Sequence, residues 1–553
     1  MKRLAALWMT CIALAFGQGI ASRTVKPAAR AKASGKPWKA HFTDISRTAG
    51  LTHPILYGNT ERIDYLVESS SGGVAFIDYN NDGYVDIFAV SGTRFDATIT
   101  PEQASNRLYR NNRDGTFTDV SPSAGIRRAE PGWGSGVCIG DFDNNGFDDL
   151  LVTYWGANSL YKNKGDGTFE DVAAQVGLST VKREWSSGCT FVDYDRDGDH
   201  DLLVSHYIDF DPAKTPKPGS NSFCNWKGVA VACGPRGLPP AAARLYRNDK
   251  GHFTDVTVES GIGKAQKTFG MTAVAADFDN DGWPDLYIAS DSTPSLYFRN
   301  LKNGHFAEEG LERGVALNED GREQAGMGLA IGDYNLDGHL DIFKTHFADD
   351  TPVLYRNDGG GYFRDLTQQA GLAVETRFVG WGTNFADFDN DGIPDILAVT
   401  GNIYPDVEKQ VPGYPYKTPK LLFRGLAGGR FEQIPGEIEV DRASSSRGMA
   451  VADIDNDGDV DIVIWNRNEP LTLLRNDLPQ SNWVEFTGPI GTRVTALYGG
   501  QKQTQEILSQ ASFHSSNGRT LHFGLGPAKT ADLQIRWPDG KTETRRAVHG
   551  RVR

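Results

Sequence analysis

Residues 387–395 read DFDNDGIPD. Acidic or amide side chains stand at the first, third, fifth and ninth positions, and glycine stands at the sixth. Apolar runs flank the loop, GWGTNFA at 380–386 and ILAVT at 396–400. The same head recurs at Asp78 (DYNNDGYVD), Asp141 (DFDNNGFDD), Asp193 (DYDRDGDHD), Asp277 (DFDNDGWPD), Asp333 (DYNLDGHLD) and Asp453 (DIDNDGDVD). Successive starts lie 63, 52, 84, 56, 54 and 66 residues apart. A fixed unit repeated at this period is the mark of a repeat architecture.

Each head joins two apolar runs. A third segment reads L-Y-R-N or close to it, at 108–111, 160–163, 245–248 and 354–357. A fourth reads G-x-F-x-D-[VL], at 115–120, 167–172, 251–256 and 361–366. Short runs bounded by Gly, Asn and Asp predict strands, and four strands per repeat predict propeller blades. The seventh repeat stops after LLRN at 473–476, and its missing fourth strand stands at the N-terminal end as FTDI, 42–45. The reading is all-β: a seven-bladed β-propeller over residues 41–478, with strand 42–46 closing blade seven. A small β-domain is expected over 479–553.

The loops carry the clearest chemistry. Calcium takes six to eight oxygens from carboxylates, carbonyls and water. The predicted ligands are Asp78, Asn80, Asp82 and Asp86; Asp141, Asp143, Asn145 and Asp149; Asp193, Asp195, Asp197 and Asp201; Asp277, Asp279, Asp281 and Asp285; Asp333, Asn335, Asp337 and Asp341; Asp387, Asp389, Asp391 and Asp395; and Asp453, Asp455, Asp457 and Asp461. One such loop is compatible with a solvated turn. Seven in register predict about seven calcium ions, which would offset twenty-five carboxylates that otherwise repel. The formal net charge is −14, and no basic face suggests nucleic acid.

Residues 1–21 read as a secretory signal: Lys2 and Arg3, an apolar run Leu4–Phe16, then small residues. Residues 22–40 are expected to be a disordered lead-in. No later stretch is apolar enough to span a bilayer, so the chain is expected to be extracellular or periplasmic. In an oxidising compartment Cys224 and Cys233, inside one Gly/Pro-rich insertion, are expected to form a disulfide. Cys138 and Cys189 lie in apolar runs and are expected to be buried free thiols.

The repeats resemble the FG-GAP/VCBS repeats of integrin α-chain propellers, whose D-x-D-x-D-G-x-x-D loops bind calcium. SNWVEF (481–486), LHFGLG (521–526) and IRWPDG (535–540) resemble the ASPIC/UnbV domain. The combination resembles the cartilage acidic protein family, which implies an extracellular protein.

No G-x-S-x-G or H-E-x-x-H motif is present. The face opposite the loops offers ligand candidates: Trp133, Trp185 and Trp381 before first strands, His206 and His346 at the ends of second strands, and Tyr404. Each is read either as stacking or binding a ligand, or as packing the blade junctions. The expected function is a non-enzymatic recognition or adhesion module for a glycan or protein ligand. The alternative is a polysaccharide lyase or hydrolase on the same scaffold.

Overall fold

The computed structural model describes residues 25–30, 32–178 and 184–553. The expected signal, 1–21, lies outside them. Seven four-stranded antiparallel sheets follow one another along the chain, a β-propeller arrangement. The first contains Val74–Ile77, Asp86–Ala89, Arg107–Asn111 and Phe117–Asp119, in that order. In all seven the second strand starts on the ninth residue of the acidic loop. The loop is therefore the turn between first and second strands, and its last carboxylate is carried into the sheet.

The last sheet draws on both ends of the repeat array. Phe42–Asp44 pairs antiparallel with Thr472–Asn476, with Phe42 opposite Asn476. The first strand of this sheet, Ser446–Ala452, packs against Gly380–Ala386 on one side and Val74–Ile77 on the other. The array thus closes on itself and leaves no free sheet edge at the seam.

The core lies between sheets. Val137, Ile139 and Leu150 pack on Ala75, Phe88 and Leu108, and Ala273 and Leu286 pack on Leu203 and Leu245. One such junction corrects the reading of the cysteines. Cys138 and Cys189 are disulfide-bonded, with Cα atoms 5.9 Å apart. They occupy facing positions on the first strands of successive sheets, close enough for a covalent bridge. Cys224 and Cys233 form a second disulfide within the insertion.

Asparagine joins the sheets to one another. The last residue of the third strand is Asn in six of the seven sheets. Its side-chain amide donates to the second residue of the preceding sheet's acidic loop: Asn163 to Tyr79 O at 2.7 Å, Asn248 to Phe142 O at 2.7 Å, Asn300 to Tyr194 O at 2.9 Å. The same group also serves a carbonyl of its own loop, as from Asn163 to Asp148 O at 3.1 Å.

The C-terminal region forms two small sheets around Val484, Phe486, Val494, Leu521 and Phe523. It sits on the face that carries the acidic loops: Tyr498 Oη donates to Gly392 O at 3.0 Å and Arg493 Nη1 to Asp277 O at 2.8 Å. From it, residues 507–518 enter the central channel and bond to the first strand of every sheet. Phe76 N donates to Ser516 O (3.1 Å), Val137 N to His514 O (3.0 Å), Phe191 N to Ser509 Oγ (3.0 Å) and Ala273 N to Gln510 Oε1 (3.4 Å). Leu329 N donates to Ser512 O (2.7 Å), Thr383 N to Ser512 Oγ (3.0 Å) and Val451 N to Asn517 Oδ1 (3.0 Å). The small residues before each acidic loop follow from this. A Cβ on Gly73 would stand 2.1 Å from the carbonyl oxygen of His514.

The lead-in has no regular secondary structure over 25–30 and 32–40, yet it is docked rather than free. Ala28 N donates to Ala373 O at 2.7 Å, and Pro37 O accepts from Arg424 Nη1 at 3.0 Å.

Candidate metal centres and the opposite face

The acidic loops share one geometry. In all loops but that at Asp193 the first Asp accepts the main-chain N–H groups of the fifth and sixth residues; in the loop at Asp277 these are Asp281 N at 3.0 Å and Gly282 N at 3.0 Å. That fold requires left-handed backbone at the sixth residue, Gly282 at φ +92°, and also at the fourth, Asn280 at φ +60°. The fourth residue is Asn in five of the seven loops, because a short amide side chain tolerates that conformation best among non-glycines.

The ninth-position Asp is the most constrained of the candidate ligands. Asp86, Asp149, Asp201, Asp285, Asp341, Asp395 and Asp461 are all fully buried. One oxygen of each accepts the main-chain N–H at the end of the third strand, as from Asn111 to Asp86 Oδ1 and from Asn357 to Asp341 Oδ1, both at 2.7 Å. Burial, joined by the repulsion of the other loop carboxylates, pushes these acids far above the usual range. Asp86 and Asp149 are raised to about 8 and Asp201 to about 9, and the other four also rise.

Five loops bring three carboxylates so close that their oxygens lie within 4.8 Å of one another: Asp141, Asp143 and Asp149; Asp193, Asp195 and Asp197; Asp277, Asp279 and Asp281; Asp387, Asp389 and Asp395; Asp453, Asp455 and Asp461. In the two loops with Asn at the third position, that amide bridges to the fifth carboxylate: Asn80 to Asp82 at 3.0 Å and Asn335 to Asp337 at 2.8 Å. Buried carboxylate oxygens without a hydrogen-bond partner stand in six of the seven loops, among them Asp86 Oδ2, Asp143 Oδ1, Asp341 Oδ2 and Asp389 Oδ1. Crowded, unpartnered, hard oxygen donors fit a hard divalent cation and no softer one.

The loop at Asp387 differs. Arg424, in place of the usual outward-turned Arg, is buried, and its Nη2 bonds Asp389 at 2.9 Å and Asp391 at 3.2 Å. Three other sheets hold an Asp two residues after this Arg, and the pair closes outside the loop, as in Arg247–Asp249 and Arg475–Asp477. Here that position is Leu426, and the guanidinium turns inward; Arg299, also followed two residues on by a Leu, pairs with Glu309 instead. Two arginines of the C-terminal region also reach loop carboxylates, Arg536 to Asp277 and Arg551 to Asp453.

The six candidates on the opposite face are not brought to a surface. Trp133, Trp185, His206, His346, Trp381 and Tyr404 are each at most 3% exposed. Trp185 Nε1 donates to Ser135 Oγ at 2.9 Å and Trp381 Nε1 to Gly401 O at 2.7 Å, both satisfied inside the fold. Tyr404 Oη donates to Ala232 O, in the insertion. Trp133 packs on Tyr57 and Phe95, Trp185 on Tyr207 and Phe210, and Trp381 on Phe513, while Tyr404 is covered by the insertion. The insertion's Trp226 packs on Phe347, Tyr404 and Tyr414. The packing alternative therefore describes these residues, and the cover over Tyr404 comes from the 84-residue gap between loops. Among the described residues, no helix is long and apolar enough to cross a membrane.

Comparison with known proteins places this architecture. The FG-GAP-like repeat model matches residues 78–152, 141–204, 229–288, 277–344 and 333–398, together more than half of the chain. The ASPIC and UnbV model matches residues 487–552. Cartilage acidic protein 1 of Mus musculus is 23% identical over 509 residues, covering 86% of this chain and 71% of that protein. The Homo sapiens protein of the same name is 22% identical over 514 residues, covering 87% and 70%. Among solved structures, a rhamnogalacturonan lyase of Bacillus licheniformis is similar at 13% identity and a TM-score of 0.32, covering 92% of this chain and 90% of its own. That likeness is too distant to bear on chemistry. The chain belongs to the FG-GAP-like repeat family and carries an ASPIC and UnbV domain at its C-terminal end.

Proposed function

We propose that this protein is an extracellular recognition or adhesion module for a glycan or protein ligand, built on a seven-bladed propeller that calcium holds rigid. The observation that carries the metal reading is the ninth-position aspartate. In every loop it is a buried acid at the head of a strand, with further carboxylates beside it. An uncompensated buried charge costs several kcal/mol or neutralises, and one divalent ion per loop removes that cost at all seven places.

Two disulfides support an oxidising compartment, in keeping with a secreted chain. The C-terminal domain caps the loop face and fills the channel, which leaves the rim of the opposite face as the surface for a partner. The deciding experiment is metal analysis of purified protein, joined to a glycan and peptide binding screen with and without EDTA. Seven calcium ions per chain and a ligand lost in EDTA are expected. Metal-free protein with an unchanged melt would overturn the calcium reading, and an empty screen would overturn the recognition reading.

A further inference from the structure

Two arginines are buried on the face opposite the acidic loops. Arg447, in the strand Ser446–Ala452, has no exposed surface and stacks on Trp381, its guanidinium carbon 4.3 Å from the ring centre. Its donors go to Ser69 O (2.7 Å), Ser69 Oγ (2.9 Å), Ser446 O (2.7 Å) and Asn402 O (3.0 Å). Arg467 follows the strand Asp461–Asn466 and is equally buried. It donates to Glu68 O (3.0 Å), to Tyr416 Oη (2.6 Å) and to Asn59 O. Among these acceptors there is no carboxylate.

This arrangement is unusual on physical grounds. A guanidinium cannot shed its proton in a protein, and a buried charge without a counter-ion costs free energy. Two acidic groups stand within reach of Arg467: the buried carboxyl of Glu68, which burial raises and Arg467 counters, and the phenol of Tyr416. Burial pushes that phenol up, but the two arginines pull it further down, to below its ordinary range. The molecule thus holds two fixed positive charges behind a half-buried phenol.

The outer wall of this charge is a surface patch. Tyr416 and Asn59 are both half-buried. The Asn59 side chain donates to Asp96 Oδ2 at 2.7 Å, and Asp96 follows Phe95, an aromatic ring 43% exposed to solvent. Phe95 is held on its inner side by Trp133 at 4.8 Å and Tyr65 at 5.3 Å between ring centres. Rim charges are paired already, Arg94 with Asp96 and Lys417 with Glu469. The positive charge left without a hydrogen-bonded carboxylate is that of Arg467 and Arg447.

We propose that this patch recognises an acidic glycan: Arg467 takes the ligand's carboxylate or sulfate in place of Tyr416 and Asn59, and Phe95 stacks on the adjoining sugar ring. The proposal rests on the recognition reading above and names its ligand class. An Arg fork matches a carboxylate or sulfate in two parallel bonds, and an exposed, backed aromatic offers the flat apolar face that a sugar ring needs.

The test is titration calorimetry on the full chain in calcium. The probes are trigalacturonic acid for the carboxylate, a κ-carrageenan tetrasaccharide for the sulfate, and cellotriose as the neutral control. At least one acidic probe binds and cellotriose does not. R467Q weakens binding about tenfold or more, the loss expected for a charge-assisted pair. F95A weakens it several-fold, and Y416F strengthens it by removing the competing phenol. R467Q is read only if its melting temperature is unchanged; otherwise F95A and Y416F decide, since both leave the guanidinium in place. Equal binding of cellotriose, no binding of either acidic probe, or binding indifferent to F95A and weakened by Y416F overturns the site. If the screen meanwhile returns a different ligand, the recognition reading stands and this site alone falls.

Discussion

The side-chain amide of Asn111 donates to the main-chain carbonyl of Ile454 at 2.8 Å, across 343 residues of sequence. It is the seam version of the bond that Asn163, Asn248 and Asn300 make to the sheet before them. The ring is closed by the same side chain that holds its interior junctions, and the strand Phe42–Asp44 adds the hydrogen-bonded edge.

Replacing Asn111 by Ala leaves the buried carbonyls of Val85 and Ile454 without this donor. The expected loss is about 1–3 kcal/mol, the cost of orphaned buried polar groups. N248A, at an interior junction, is expected to lose the same amount, because a closed ring has no weaker seam. Denaturant unfolding of both variants checks this; a much larger loss for N111A shows that the seam is held differently.

Calcium removal is expected to lower the melting temperature by about 10 °C or more. Each site held at one hundred times its dissociation constant adds about 2.7 kcal/mol to the folded state. Several such sites act on one cooperative ring. Differential scanning calorimetry with and without EDTA, followed by calcium re-addition, measures the effect. An unchanged melt contradicts it.

The acidic loops were legible in the sequence because their spacing is fixed within one hairpin. Their partners across the molecule were not. The Asn that ends the third strand in six of the seven sheets recurs almost as visibly as the Asp, but its acceptor lies in another repeat, where no spacing marks it. Cys138 and Cys189 looked inert because each sits in an apolar run, and only the facing of successive first strands makes them a pair. The aromatic candidates were placed on the correct face, and of their two readings packing holds; the cover over Tyr404 was not legible, since Trp226 lies in an insertion without periodicity. Residues 507–518 carry no motif at all, yet they touch all seven sheets.

The Cys138–Cys189 bond is expected to appear in non-reducing peptide mapping beside Cys224–Cys233. Removing it by the double Ser variant should cost about 2–4 kcal/mol. Free-thiol labelling of Cys138 in the native protein under oxidising conditions would refute the pairing.

Lys344 predicts a pH effect of known sign. It is buried at a position that is apolar in the other six sheets, hydrogen-bonded to Ser295 Oγ at 3.0 Å and Tyr287 Oη at 3.3 Å and set over the Tyr355 ring, with no carboxylate among the described residues hydrogen-bonded to it. Burial lowers it to about 7, against an unfolded value of roughly 10.4. Between these values the unfolded chain holds the proton and the folded chain does not, so stability rises with pH through this window. Below it both forms are charged and the full burial penalty remains. K344M is expected to raise stability at pH 6 by at least about 1 kcal/mol and to flatten the profile between pH 7 and 10. A steeper profile in K344M sinks the assignment.

The channel segment makes the C-terminal domain part of the propeller's core rather than an appendage. Gln510 shows why. Its Oε1 accepts from Cys189 N at 3.1 Å and from Ala273 N at 3.4 Å, and its Nε2 donates to Val137 O at 3.0 Å. One side chain thus serves main-chain groups of three sheets that face the axis, where no other strand can reach them. Q510A leaves all three buried and unpaired, at about 1–3 kcal/mol each before relaxation or water entry. A loss of roughly 2–4 kcal/mol is expected in denaturant unfolding, large for a single side chain in a segment held only by isolated bridges. For the same reason the full chain should melt in a single calorimetric transition, because the domain cannot leave without opening the channel. Two separated transitions, or a Q510A variant as stable as the parent, would show that the segment only visits the channel. One cooperative melt with a costly Q510A means that the domain on the loop face and the strands around the axis are one folding unit.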